Sequence, residues 1–142
     1  MDIQCLAGTS YRLKGRTATI LTETSSFKVE VDKQVKMEIG EPGEYEVGGI
    51  SILGMKFGEN KIFVFEIDGL RVAYLGEFNN NLTDAQVSEL GNIDIFFCIG
   101  GDGTMRATES IAEEITRRKL NIAVVGIPKT IDKDLPETDY SL

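Results

Sequence analysis

The chain has 142 residues, 42% hydrophobic and 27% charged, with 15 basic against 23 acidic side chains and a net charge of −8. That length suffices for one ordinary domain with a real core, and the acidic balance argues against a nucleic-acid or membrane-surface binder, because no basic stripe is available. The absence of histidine removes the usual zinc sites and the commonest general base.

No apolar stretch approaches the ~20 residues of a membrane span. The start, MDIQCLAGTS, lacks the basic head and long apolar centre of a secretory leader. Cys5 and Cys98 fall inside predicted strands and read as reduced, buried thiols of a cytoplasmic protein.

Residues 2–6 predict a first strand. Tyr11–Lys14 and residues 17–22 predict two more, around a turn at Gly15-Arg16. Phe27, Val29 and Val31 alternate with Lys28, Glu30 and Asp32, the pattern of a strand buried on one side. Val35, Met37 and Ile39 alternate in the same way. Residues 40–43 are a turn by composition. Tyr45 and Val47 lead into Gly48-Gly49 and then Ile50 and Ile52, a two-residue hairpin signal. Gly58-Glu59-Asn60 makes the next turn. Residues 62–67 and 70–75 flank Asp68-Gly69, the strongest short hairpin signal in the chain.

A helix is predicted over Asp84–Leu90. Thr83 is its N-cap, Gln86 completes a capping box, and Leu82 and Val87 occupy the staple positions. Glu77, Asn79, Asn80 and Asn81 read as the loop before that cap, and Gly91 ends the helix. An apolar run over residues 93–99, broken only by Asp94, reads as a buried strand. It empties into Gly100, Gly101, Asp102, Gly103 and Thr104. A second helix is expected from Thr104 to Arg118, with Ala107, Ile111 and Ile115 as its apolar stripe. Glu109, Glu113 and Glu114 precede Arg117, Arg118 and Lys119, so charge follows the helix dipole. A further apolar run covers residues 122–125, and a polar tail begins at Lys129. This strand–loop–helix–strand unit places glycines where open α/β sheets bind ligands. Glycines let the backbone approach a phosphate, and the helix N-terminus favours negative charge. Arg106 stands one turn into that helix.

The strings at 100–104 and 126–134 resemble the phosphofructokinase family. The first is similar to its GGDGT loop. The second is similar to its G-I-P-x-T-I-D-N-D string, with Lys133 in place of Asn. The tail Thr138-Asp139-Tyr140-Ser141 is similar too. The resemblance implies that Asp102 holds the magnesium of ATP. Gly103 would leave room for that nucleotide, where an aspartate marks pyrophosphate users. Gly100, Gly101, Thr104 and Lys129 would complete the cofactor site, Lys129 as in the plant-type and pyrophosphate-type branches. Thr130 and Asp132 would face the sugar phosphate, with Asp132 as general base supported by Asp134. Lys133 between these acids favours their ionised forms. This likeness covers about residues 95–142.

Residues 1 to about 98 resemble the metallo-β-lactamase fold, in its small bacterial hydrolase branch. LAGTSYRLKG near the start, PGEYEVGGISILG at 42–54 and the stretch 60–95 carry the likeness. The family's metal chemistry is missing. Thr9 stands where the first strand should end in histidine, the histidine-rich loop is absent between Thr22 and Phe27, and the H-L-G-D motif reads Tyr74-Leu75-Gly76-Glu77. One carboxylate at Glu77 cannot hold zinc.

The expected architecture is α/β or α+β, with strand-rich lactamase-like sheet layers and two packed helices. The last strand–helix–strand is phosphofructokinase-like. Residues 1–142 are read as one fused domain, with 1–94 as its lactamase-like part. The expected function is a non-catalytic scaffold with at most weak affinity for magnesium nucleotide or another phosphate-bearing small molecule at Asp102 and Gly103. One alternative is ATP-dependent 6-phosphofructokinase-type transfer to a sugar phosphate, with the site completed by oligomerisation. The other is a structural domain whose sheet edges pair with another copy.

Overall fold

The computed structural model describes residues 1–6, 10–23, 26–76 and 81–128. The expectations placed on Thr9, Glu77, Asn79, Asn80, the Cys5 side chain and everything from Lys129 onward, including Thr130, Asp132 and Asp134, lie outside the described residues.

Strands β1 (Asp2–Cys5), β2 (Tyr11–Lys14), β3 (Thr19–Thr22), β4 (Phe27–Val31) and β5 (Gln34–Ile39) form an antiparallel meander in chain order. Strands β6 (Gly43–Val47), β7 (Ile50–Phe57), β8 (Asn60–Ile67) and β9 (Leu70–Gly76) continue antiparallel in a second sheet. Helix α1 (Asp84–Leu90) then carries the chain over to β10 (Ile95–Gly100), and helix α2 (Asp102–Arg117) to β11 (Ala123–Pro128). β9, β10 and β11 run parallel, so the second sheet has the order β11-β10-β9-β8-β7-β6. Parallel neighbours need such long crossovers, whereas hairpins suffice for the rest.

Two apolar layers hold these parts together. Between the sheets lie Leu13, Ile20, Phe27 and Val29 of the first and Ile52, Phe65, Val72, Phe97 and Ile99 of the second. Phe27 meets Phe63 and Phe65 edge-on, each at 4.9 Å. The opposite face of the second sheet, with Ile62, Val64, Ala73, Leu75, Phe96 and Cys98, packs on Leu90 of α1 and Ile115 of α2. The layer order is therefore sheet, sheet, helices, and β10 contributes to both apolar layers through alternate residues.

The hairpins follow their sequence signals. Gly48-Gly49 and Asp68-Gly69 both have φ positive at each centre, as the tight turns matching strand twist require. Asp32-Lys33 does the same with φ 52° and 62° and no glycine, a turn the alternation of apolar residues concealed. The expectation for the next strand is corrected here. The register shifts by one residue between Val29 and Glu30, so Met37 faces Val29 but Val35 faces Glu30. Cross-strand partners share a face, and a bulge reverses parity. Val35 is 52% exposed on the solvent side, Met37 is 37% exposed despite facing Val29, and of the three expected apolar positions Ile39 alone is buried.

Around α1 the capping box of Thr83 and Gln86 is present, and Gly91 at φ 71° closes the helix. Leu82 packs against the helix-side core, while Val87 is 45% exposed. Helix α2 starts at Asp102 rather than Thr104, and it buries Thr104, Thr108 and Ile115. Small hydroxyl residues, not Ala107, face the sheet at its first turns. Among the described residues no helix is long and apolar enough to cross a membrane.

Candidate functional site

Asp94 interrupts the apolar run for a local reason. Its carboxylate accepts from the Arg71 backbone N–H at 2.8 Å, and its own N–H donates to the Arg71 carbonyl at 2.9 Å. This pins the start of β10 beside β9. β10 then ends at Gly100, and the chain turns at once into α2 with Gly101 as N-cap.

The glycines here have a packing reason. A Cβ on Gly100 would lie 2.2 Å from Thr104 Oγ1 and 2.5 Å from its Cβ. A Cβ on Gly126 would lie 2.9 Å from Thr108 Cγ2. Helix α2 thus sits directly on the ends of β10 and β11, with Thr104 over one glycine and Thr108 over the other. Thr104 is 5% exposed, so its side chain faces the strand end and not open solvent. The Thr108 hydroxyl donates to the Thr104 carbonyl at 2.8 Å. Burial pushes the Cys98 thiol up, and the Thr108 hydroxyl pulls it back in part. The pairing of Thr108 with Gly126 escaped sequence reasoning, because a threonine in a helix reads as solvent-facing by default.

Gly101 supplies no side-chain cap bond, so among the described residues the first-turn amides have no capping side chain. Asp102 is exposed and pairs with Arg106 one turn on, Oδ2 to Nη2 at 2.7 Å. Nothing lies within 4 Å of a Cβ placed on Gly103. Gly100 is in register with Pro128 across the β10–β11 pair. The two motif strings therefore start at the neighbouring carboxyl ends of parallel strands. Ligands in open sheets favour carboxyl ends where strand order reverses. Among the described residues β9, β10 and β11 follow one another without reversal.

Among the described residues, two of the clefts lie elsewhere. One of about 450 Å³ is lined by Arg12, Lys14, Arg16, Lys33, Glu30 and Asp32. The other, about 380 Å³, lies between α1 and α2 against Leu82, Phe96, Ile111, Ile115 and Leu120. Their linings are scattered along the chain, so no local motif announces either. At the far end of α2, Arg117 and Arg118 both donate to the Glu114 carboxylate. They hold its pKa at about 2, against an ordinary 4.5. A folded-state value below the ordinary one gives a contribution that is complete above about 4.5 and fades as pH falls toward 2. Carboxyl NMR should find the Glu114 midpoint near 2, shifted toward the ordinary value in an Arg117→Ala/Arg118→Ala variant.

The chain has no histidine, and among the described residues no group of three or more histidine, cysteine or acidic side chains could hold a metal ion. Magnesium asks for less, since a carboxylate or two with phosphate oxygens and water suffices. Asp102 fits that requirement.

This layering has a counterpart among solved structures. A protein of the metallo-beta-lactamase superfamily from Thermotoga maritima superposes over 92% of this chain and 77% of its own, with a TM-score of 0.61 and 24% identity. At that identity the likeness concerns the fold alone. The chain's second part has sequence relatives of another kind. The model of the family described as Phosphofructokinase matches residues 78–142. An ATP-dependent 6-phosphofructokinase of Amycolatopsis methanolica is 56% identical over 52 residues, 37% of this chain and 11% of that protein. ATP-dependent 6-phosphofructokinase 7 of Arabidopsis thaliana is 50% identical over 66 residues, 46% of this chain and 13% of that protein. The two likenesses overlap, since the structural one covers 92% of the chain and the family model begins at residue 78. The alignments span little more than a tenth of these relatives' length.

Proposed function

We propose that this chain is a non-catalytic, cytoplasmic metallo-β-lactamase-type scaffold whose phosphofructokinase-like segment binds a magnesium nucleotide weakly. The observation that carries the reading is the register of Gly100 with Pro128. It sets the GGDGT string and the start of the GIPKTIDKD string side by side, next to the uncapped start of α2. Backbone amides and the helix dipole there attract phosphate. The net charge of −8 opposes a free nucleotide, and Asp102 adds to that repulsion until magnesium bridges it to phosphate oxygens. Arg106 must release Asp102 for this and would then be free to meet a phosphate. Affinity in the millimolar range follows, roughly 4 kcal/mol.

Calorimetric or NMR titration with ATP, pyrophosphate and fructose 6-phosphate, each with and without magnesium, tests this. Binding of ATP should vanish without magnesium and in Asp102→Ala. Equal binding by parent and variant, or binding indifferent to magnesium, would leave the loop a structural turn.

The match of the family model through residue 142 favours a second reading. In it the chain takes part in phosphoryl transfer from ATP to a sugar phosphate, with Thr130 and Asp132 at the acceptor, Asp134 in support, Lys129 toward the nucleotide, and further residues supplied by another copy. A coupled fructose 6-phosphate assay separates the readings. Turnover abolished by Asp132→Asn would establish the second.

A further inference from the structure

Among the described residues the sheets have four edges, β1 and β5 in one and β6 and β11 in the other. Unpaired edges invite foreign strands, and natural proteins blunt them with charge and bulges. Three of these are blunted in that way. β1 carries Asp2, β5 carries Lys36 and Glu38 with the register shift beside them, and β6 carries Glu44 and Glu46. β11 reads AVVGIP, without a charge. Its Val125 and Ile127 reach the core between the sheets, while Val124 reaches the helix-side core. A parallel strand apolar on both faces belongs inside a sheet, yet among the described residues nothing pairs with its outer side, and Ala123 is exposed.

We propose that β11 is the surface through which two copies of this chain pair, antiparallel and edge to edge, joining their six-stranded sheets into one. The strand is complementary to itself. With the two-fold axis at Val125, the two copies' Val125 residues meet at the centre, Val124 stands opposite the partner copy's glycine of the same strand, and Ala123 opposite its isoleucine, so large residues meet small ones on either side of the central pair. Moving the axis to Gly126 would set Val125 against Ile127 and bring Pro128, which has no N–H, into the ladder. A second copy fits this edge with the axis at Val125, in a ladder that ends at Pro128. A contact this short gives a weak dimer, with Kd on the order of 10 µM.

The inference is independent of ligand binding and is tested by sedimentation velocity on the full chain across the micromolar range. A reversible monomer–dimer equilibrium is expected. Ala123→Lys, at an exposed position, should raise Kd about tenfold or more by setting a charge against the partner's Ile127, while its melting transition stays. Amide exchange over residues 123–127 of the parent should slow with concentration, which keeps the test independent of that variant's folding. A strictly monomeric chain, a dimer indifferent to Ala123→Lys, open-ended growth in place of a dimer, or exchange that ignores concentration would each overturn the proposal.

Discussion

Gly100→Ala should be among the most destabilising single-methyl changes in this protein. The added carbon would stand 2.2 Å from Thr104 Oγ1, 2.5 Å from its Cβ and 2.9 Å from its Cγ2, closer than atoms tolerate. Thr104 is buried in the first turn of α2, so relief requires the helix to lift from the sheet. Overpacking of this kind costs about 3 kcal/mol, or about 10 °C in Tm for a domain of this size. Gly103→Ala is the matched control. Its new methyl meets nothing within 4 Å, and alanine in a helix stabilises by about 0.5–1 kcal/mol. Thermal melts of the two variants should move in opposite directions. Equal effects would show that Gly100 is not held by Thr104, and would return it to the role of a ligand-approach glycine.

Phe97→Ala should cost about 3–5 kcal/mol, for a reason that concerns the whole chain. Phe97 is fully buried. It meets Tyr11 edge-on at 5.4 Å and Tyr74 at 6.0 Å. A residue of the phosphofructokinase-like segment thus fills the core between the lactamase-like sheets. We propose that residues 1–142 unfold as one unit. The loss should then appear in a single transition, coincident by far-UV and tyrosine near-UV signals. Two separated transitions, or a sharp transition in an isolated 95–142 fragment, would assign that segment a stability of its own.

Much of the architecture is legible in local residue patterns. Strict alternation marks β4. Paired turn residues at Gly48-Gly49 and Asp68-Gly69 mark hairpins, because positive φ at both centres leaves few alternatives to glycine, asparagine and aspartate. Thr83 and Gln86 mark the start of α1 through reciprocal bonds between residues three apart. The Gly100–Thr104 string is legible as a strand-to-helix turn with a family likeness, and the match over 78–142 agrees with it.

What escaped depends on partners distant in sequence. Val35 points to solvent because one unpaired residue in β5 reverses its parity against β4, and alternation within a strand carries no signal of that. Thr104 and Thr108 are buried because β10 and β11 present glycines beneath them. Their burial is a property of the packing of α2 on the sheet, not of the helix. Arg12, Lys14, Arg16 and Lys33 share a cleft only because neighbouring turns of the meander lie side by side. The residues alone thus settle which local conformations form, since those energies come from contacts within a few positions. Which face each element turns inward, and which sheet edge stays open, is settled by strand register and layer packing, whose contacts join residues far apart along the chain.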